Sequence, residues 1–143
     1  MTPKEQAEEL MGKLVHFAEQ ELSKYGEFYP FGAEVETDGK VVLSASYNGK
    51  DHPSSQVMIE ELTKIFQSKA KAGKIKAAAI VYDMRIQPPG SIAKTDAICF
   101  SYDHKEGYTV NVFFPYTLGA DKKVIIQPLI AAKGKGNIFG KNN

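Results

Sequence analysis

Residues 96–116, DAICFSYDHKEGYTVNVFFPY from Asp96 to Tyr116, decide the fold. Two runs rich in β-branched and aromatic residues flank a short polar segment that ends in Gly107, which is the pattern of a β-hairpin. A type I turn over Lys105 and Glu106, with Gly107 in the left-handed region, closes it as a three-residue loop and fixes the register. His104 then faces Tyr108, Tyr102 faces Val110, Phe100 faces Val112, and Ile98 faces Phe114. Side chains alternate along a strand, so these residues share one sheet face. The other face takes Asp103 with Thr109, Ser101 with Asn111, and Cys99 with Phe113. One face is large and apolar and the other small and mixed, which places the core against the first.

Outward from the hairpin, the periodicities give the remaining elements. Thr2 and Glu5 have capping-box spacing and Pro3 suits a first helical position, so a helix is expected over Pro3 to Tyr25. Ala7, Leu10, Met11, Leu14, Phe17, Ala18 and Leu22 form its apolar stripe, and Gly26 stops it. Phe28-Tyr29-Pro30-Phe31 reads as an extended entry whose aromatics plug the end of the core. A second hairpin spans about Gly32–Thr37 and Lys40–Tyr47 around Asp38-Gly39, and a loop over 48–53 ends it. A second helix covers about Ser54 to Ala72, with Met58, Leu62, Ile65 and Phe66 as its stripe, Val57 and Ile59 broadening it, and Gly73 as its stop. Asp51, His52 and Ser54 all suit its N-cap. A strand over Ile75–Ile86 follows, then a break at 87–91 and the hairpin. A last strand over Lys123–Ala131 contains Pro128, which marks an edge or a bulge.

The order is α-β-β-α-β-β-β-β. Short links between successive strands imply an antiparallel sheet, and two helices with one apolar stripe each need a sheet face to cover. The expected architecture is an α+β two-layer sandwich, with both helices on the large-residue face. Residues 1–132 read as a single domain and 133–143 as a flexible Gly/Lys-rich tail, loose unless Ile138 and Phe139 dock.

The chain has 143 residues, and its 43% hydrophobic and 24% charged content suits one globular domain rather than a disordered chain. The net charge of +1 gives no general pull toward nucleic acid or membrane. The charge is uneven, however. Residues 1–38 hold nine acidic and three basic side chains, a net of −6. Residues 39–143 hold eight acidic and fifteen basic, a net of +7. Arg85 is the only arginine, which counts against a base- or phosphate-reading surface. Cys99 is the only cysteine, so no disulfide forms within the chain. With no secretory signal pattern and no apolar run of about 20 residues, a cytoplasmic location is expected.

Catalytic and metal patterns are not found. His16, His52 and His104 lack ligand spacing, no Cys-x-x-Cys or Gly-x-Ser-x-Gly occurs, and Gly134-x-Gly136 lacks the Lys-Ser/Thr and helix of a phosphate loop. No cofactor, metal or catalytic residue is therefore assigned, and the chain is not expected to be an enzyme. Asp83 and Arg85 are expected on the small-residue face, with Ser101 or Asp103 near them, as a polar pocket or as a surface ion pair. Ala77, Ala79, Val81, Cys99, Ser101, Asn111 and Phe113 are also expected there. If both helices cover the other face, this face is open, and the candidate partner-binding residues are Val81, Asp83, Arg85, Ser101, Asn111 and Phe113. The alternative is that Ile138 and Phe139 fold the tail back over it.

Phe28-Tyr29-Pro30-Phe31-Gly32-Ala33 with Asp38-Gly39, and Thr95-Asp96-Ala97-Ile98 through His104, Gly107 and Val112-Phe113-Phe114-Pro115-Tyr116, resemble a group of small bacterial proteins. Some of that group are regarded as immunity proteins that neutralise toxins. The resemblance implies a protein-binding module with a toxin as partner and carries over no site residue. The element order is also similar to the roadblock/longin-like platform, which implies a homodimeric scaffold. A third expectation is an enzyme or small-ligand binder built on Asp83, Arg85 and His104.

Overall fold

In the computed structural model, residues 1–45 and 54–140 are described. They comprise α1 (Pro3–Tyr25), β1 (Phe31–Glu36), β2 (Val41–Ala45), α2 (Ser55–Lys71), β3 (Ile75–Ile86), β4 (Thr95–His104), β5 (Thr109–Leu118), β6 (Val124–Ile126) and β7 (Ile130–Lys133). The fold is α+β. The strands form one antiparallel sheet in the order β2-β1-β3-β4-β5-β6, with β7 also paired to β5. The element order is the expected one except that the last strand divides around Pro128. Its two halves pair with different stretches of β5, Tyr116–Leu118 and Val110–Phe113, and the proline lies in the break between them.

The β4–β5 hairpin has the register fixed by its turn. Ile98 pairs with Phe114, Phe100 with Val112, Tyr102 with Val110, Ser101 with Asn111 and Asp103 with Thr109. Gly107 has φ 93°, and the His104 N–H donates to the Tyr108 carbonyl at 2.9 Å. The β1–β2 turn behaves the same way, with Gly39 at φ 94°. The loop expected over 48–53 and the end of the strand before it lie outside the described residues.

Both helices are capped as their sequences dictate. Thr2 and Glu5 form the reciprocal capping box of α1, and Gly26 closes it at φ 76°. Ser54 is the N-cap of α2, its hydroxyl accepting from the Val57 N–H at 3.1 Å. Ala7, Leu10, Leu14, Ala18 and Leu22 are buried, and Val15 joins them. Phe28, Pro30 and Phe31 are buried, and Phe17 packs edge-on against Phe31 with ring centroids 5.0 Å apart.

The helices do not share a face. α1 covers Ala33, Val35, Ala77, Ala79, Val81, Ile98, Phe100 and Tyr102, which is the large-residue side. Leu62 and Phe66 of α2 pack with Ala78 and Ile80 on the opposite side. The sheet therefore lies between two helices, and the two-layer expectation is corrected to this extent. Two physical reasons account for it. First, β3 is central, so both of its faces are buried, and Ala77-Ala78-Ala79-Ile80-Val81 reads as a continuous apolar run rather than an alternation. Second, β1 lies between β2 and β3, which makes β2 and β3 parallel to one another. The α2 connection is thus a crossover, and the handedness rule for crossovers confines its helix to one face whatever α1 does.

The second face is completed by the C-terminal segment. Ile138 and Phe139 pack against the Leu62, Phe66, Ile75, Ala78 and Ile80 cluster. The docking alternative is thus the one observed, and this face is covered rather than open.

Candidate functional site

The six residues expected to form one partner surface are divided between two faces and one strand end. Val81 pairs with Phe100 and is fully buried beneath α1. Asp83 pairs with Ile98 on the same side, where the Tyr116 hydroxyl donates to its two carboxylate oxygens at 2.9 and 3.0 Å. Arg85 pairs with Asp96 at the strand end, with an exposed ion pair at 3.8 Å. Ser101, Asn111 and Phe113 lie on the α2 side. The β3–β4 register explains the split: it sets Val81 beside Phe100 rather than beside Ser101 or Cys99. Asp83 therefore meets neither Ser101 nor Asp103.

His104 is also apart from Asp83. It lies six residues along β4 from Ile98, about 20 Å at the rise of an extended strand. His104 is buried, and its Nδ1 accepts the Glu106 backbone N–H at 3.1 Å. An imidazole nitrogen that accepts a hydrogen bond carries no proton, so the nearby Glu106 carboxylate at 3.7 Å faces a neutral ring. Burial pushes the His104 pKa below its usual value, in keeping with that state.

A different group of polar side chains does converge. On the α2 side, Ile80 and Tyr82 of β3, Ser101 and Asp103 of β4, and Thr109 and Asn111 of β5 floor a cavity of about 210 Å³. Ile59 and Thr63 of α2 form one wall, and Lys135 to Ile138 form the roof. The hairpin register brings the floor together, since Ser101/Asn111 and Asp103/Thr109 are successive pairs on one face.

The roof is held at several points. The Gly134 N–H donates to the Thr109 carbonyl at 3.2 Å. A Cβ at residue 134 would overlap Thr109 Oγ1, so only glycine passes this close to β5. Gln67 of α2 donates from Nε2 to the Asn137 carbonyl at 2.7 Å. Asp103 Oδ2 accepts the Ile138 and Phe139 backbone N–H groups at 2.8 and 3.0 Å.

The other Asp103 oxygen is different. Among the described residues, Asp103 Oδ1 and Asn111 Oδ1 are buried side-chain atoms with no hydrogen-bond partner. Asp103 is 5% exposed, and burial raises its pKa above the ordinary carboxylate value against the opposing pull of the two N–H donors. Nearby, burial pushes the Cys99 thiol up to about 11. Asp103 was expected only as a neighbour of Asp83 and Arg85, and Thr109 and the roof residues were not among the expected site residues. Their signal was the run of polar pairs on one hairpin face together with an apolar Ile138-Phe139 in a polar tail. Among the described residues no group of three or more His, Cys, Asp or Glu side chains is placed to hold a metal ion, and no helix is long and apolar enough to cross a membrane.

The second candidate is an edge. β2 pairs only with β1 among the described strands, and its sequence Val41-Val42-Leu43-Ser44-Ala45 contains no charge and no proline. Val41 is 43% and Leu43 62% exposed, and Ala45 is exposed beside them on the α1 side. Phe31, the partner of Ala45, is buried and packs against the 40%-exposed Phe17. The opposite sheet edge is blunted, with strands of three and four residues separated by a break that contains Pro128. In comparisons with known proteins, no family model matches this chain, and neither does a curated protein or a solved structure.

Proposed function

We propose that this chain is a protein-binding module without a catalytic step, and that it receives an extended segment of another protein on the open edge of β2. The observation that carries this reading is the edge of β2, which pairs only with β1 among the described strands and carries neither charge nor proline. Soluble proteins blunt sheet edges with charge, proline, bulges or short strands, because free N–H and C=O groups recruit other chains. The far edge of this sheet has short strands and a proline, and Val41–Ala45 has neither charge nor proline. Strand addition would supply backbone hydrogen bonds, and Val41, Leu43 and Ala45 would take alternate side chains of the incoming strand. The net acidic charge of α1, five glutamates against three lysines, favours a partner with basic residues next to an apolar strand. A toxin of that character, as the resemblance suggests, is one such partner, and a second copy of this chain is another. The wide separation of His104 from Asp83 supports binding over a catalytic site built on the two.

Native mass spectrometry combined with amide exchange tests this reading. The expected result is a defined complex in which exchange at 41–45 slows. Leu43→Lys, at an exposed position, should abolish the complex while leaving the fold intact. A complex that survives Leu43→Lys, or protects only other segments, would overturn the proposal. A protected homodimer would assign the edge to self-pairing.

A further inference from the structure

We propose that the recess between the first turn of α1 and the β4–β5 turn binds a doubly charged oxyanion, a phosphate or a sulfate group, through Lys76, Lys105 and the Nε2–H of His104. The recess has a volume of about 460 Å³, and these three residues line it together with Gln6 and the start of α1. The fold brings them together in two ways. Tyr102 and His104 share the β4 face that α1 covers, and the Tyr102 hydroxyl donates to Gln6 Oε1 at 2.7 Å. His104, two residues further along the strand, therefore lies against the beginning of the helix. The Lys105 N–H donates to the Lys76 carbonyl at 3.0 Å, which sets the two lysines on neighbouring backbone at the rim.

His104 is the group that points to a ligand. Its side chain is 5% exposed, and its Nδ1 accepts the Glu106 backbone N–H, so the ring proton is on Nε2. That N–H donates to no group among the described residues. Unlike the Asp103 and Asn111 oxygens beneath the roof, it is not sealed from solvent. A largely buried donor without a partner is costly, and an anion in the recess would satisfy it. Burial is the main cause of the lowered His104 pKa, and the charges of Lys76 and Lys105 add to it, so both lysines act at the ring. Glu106 is the only carboxylate in the lining, and it is 67% exposed and lies on the Nδ1 edge, 3.7 Å from that nitrogen. Two lysines against one glutamate leave a surplus of positive charge. Lysine meets an anion as a point charge, and the recess has no arginine fork to match a carboxylate, so charge is the basis of recognition and a dianion gains more than a monoanion. The first turn of α1 contributes side chains rather than amides, because the Thr2 hydroxyl already takes the Glu5 N–H.

The test uses the full chain labelled with ¹⁵N at mildly alkaline pH, with ionic strength held constant by sodium chloride. It is titrated with sodium phosphate and, separately, with sodium sulfate and sodium acetate. Phosphate and sulfate should give saturable shifts centred on residues 2–6, 76 and 104–106, with a dissociation constant on the order of 1 mM for so few atoms. The imidazole Nε2 signal of His104 should move with the same constant. Acetate should bind at least about tenfold more weakly. Lys105→Glu, at an exposed position, keeps the backbone bond to Lys76 and should cost at least about tenfold in phosphate affinity. Glu106→Gln removes the opposing charge and should raise that affinity several-fold. No saturable shift, shifts of equal size at Lys94, Lys122 and Lys123, a His104 Nε2 signal that stays still, acetate binding as tight as phosphate, or wild-type affinity in Lys105→Glu would overturn the proposal.

Discussion

Gly32 lies directly under the ring of Phe66. A Cβ at residue 32 would meet Phe66 Cε2 and Cζ at 2.9 Å and the Ala79 carbonyl oxygen at 2.7 Å. This is where α2 is seated on the sheet, and it explains why that helix reaches the face opposite α1. Gly32→Ala is expected to lower stability by about 1–3 kcal/mol, because a methyl group there must displace both an aromatic ring and a backbone oxygen. Urea unfolding would measure it. Trimming the ring with Phe66→Leu should recover only part of the loss in the double variant, since the Ala79 oxygen does not move with it.

Cys99 is fully buried and its thiol is raised to about 11 from an ordinary 9.0. At mildly alkaline pH this alone makes the thiolate fraction about a hundredfold smaller, and burial adds a barrier to access. The native protein should therefore react slowly with an aromatic disulfide reagent and the urea-unfolded chain rapidly. Equal rates would show that β4 opens readily. The variant Cys99→Ala should leave the fold intact at a modest cost for the lost packing.

The hairpins, the helix caps and the stops at Gly26 and Gly73 were legible because each rests on local chemistry, which a short window of sequence contains. The face occupied by α2 was not. It depends on which strand lies between β2 and β3, a non-local fact, and on Ala77 to Val81, whose two faces are both apolar. The polar cavity was half legible. The register of Ser101/Asn111 and Asp103/Thr109 followed from the turn, but its roof comes from residues 135–138, whose Gly/Lys composition reads as a loose tail. Val81, Asp83 and Arg85 were misplaced for one reason: a shift of one residue in pairing moves every side chain to the other face.

His104 on the one hand and Asp83 and Asp103 on the other should bend the pH profile in opposite directions. The His104 pKa is lowered by burial, so the unfolded chain binds the extra proton and stability is fully present only above the ordinary 6.5. That contribution is lost as pH falls through the folded value. Asp83 and Asp103 are raised, again mainly by burial, so their contribution is fully present below the ordinary 3.8 and is lost as pH rises through their folded values. Below the ordinary 6.5 the histidine contribution is withdrawn, over a window that runs from that value down through its lowered folded one. Urea midpoints should therefore fall across that window. His104→Asn, which keeps an acceptor near the Glu106 N–H, should flatten the fall, and an unchanged slope would assign it to other groups.

The Tyr116 hydroxyl is the donor that lowers the otherwise raised Asp83 pKa. Tyr116→Phe removes it and leaves a half-buried carboxylate without that bond. The expected loss is about 1–2 kcal/mol at neutral pH and less in acid, as the carboxyl takes up a proton. Asp83→Asn in the same background should return most of the loss. If the single variant is equally destabilised at both pH values, the bond contributes through packing alone.

Removal of residues 135–143 asks whether the C-terminal segment belongs to the fold. It would strip Ile138 and Phe139 from the α2-side cluster and both N–H donors from Asp103 Oδ2. Full burial of each side chain contributes about 1.5–3 kcal/mol, and both are only partly buried, so a combined loss of about 2–4 kcal/mol is expected. Ile138→Ala with Phe139→Ala should account for most of it, because it removes the apolar contact and keeps the backbone donors. A truncated chain as stable as the full one would mean that the roof is held too weakly to close the cavity. A loss much larger than in the double alanine variant would place the main anchor at the Asp103 carboxylate, where two backbone donors share one oxygen.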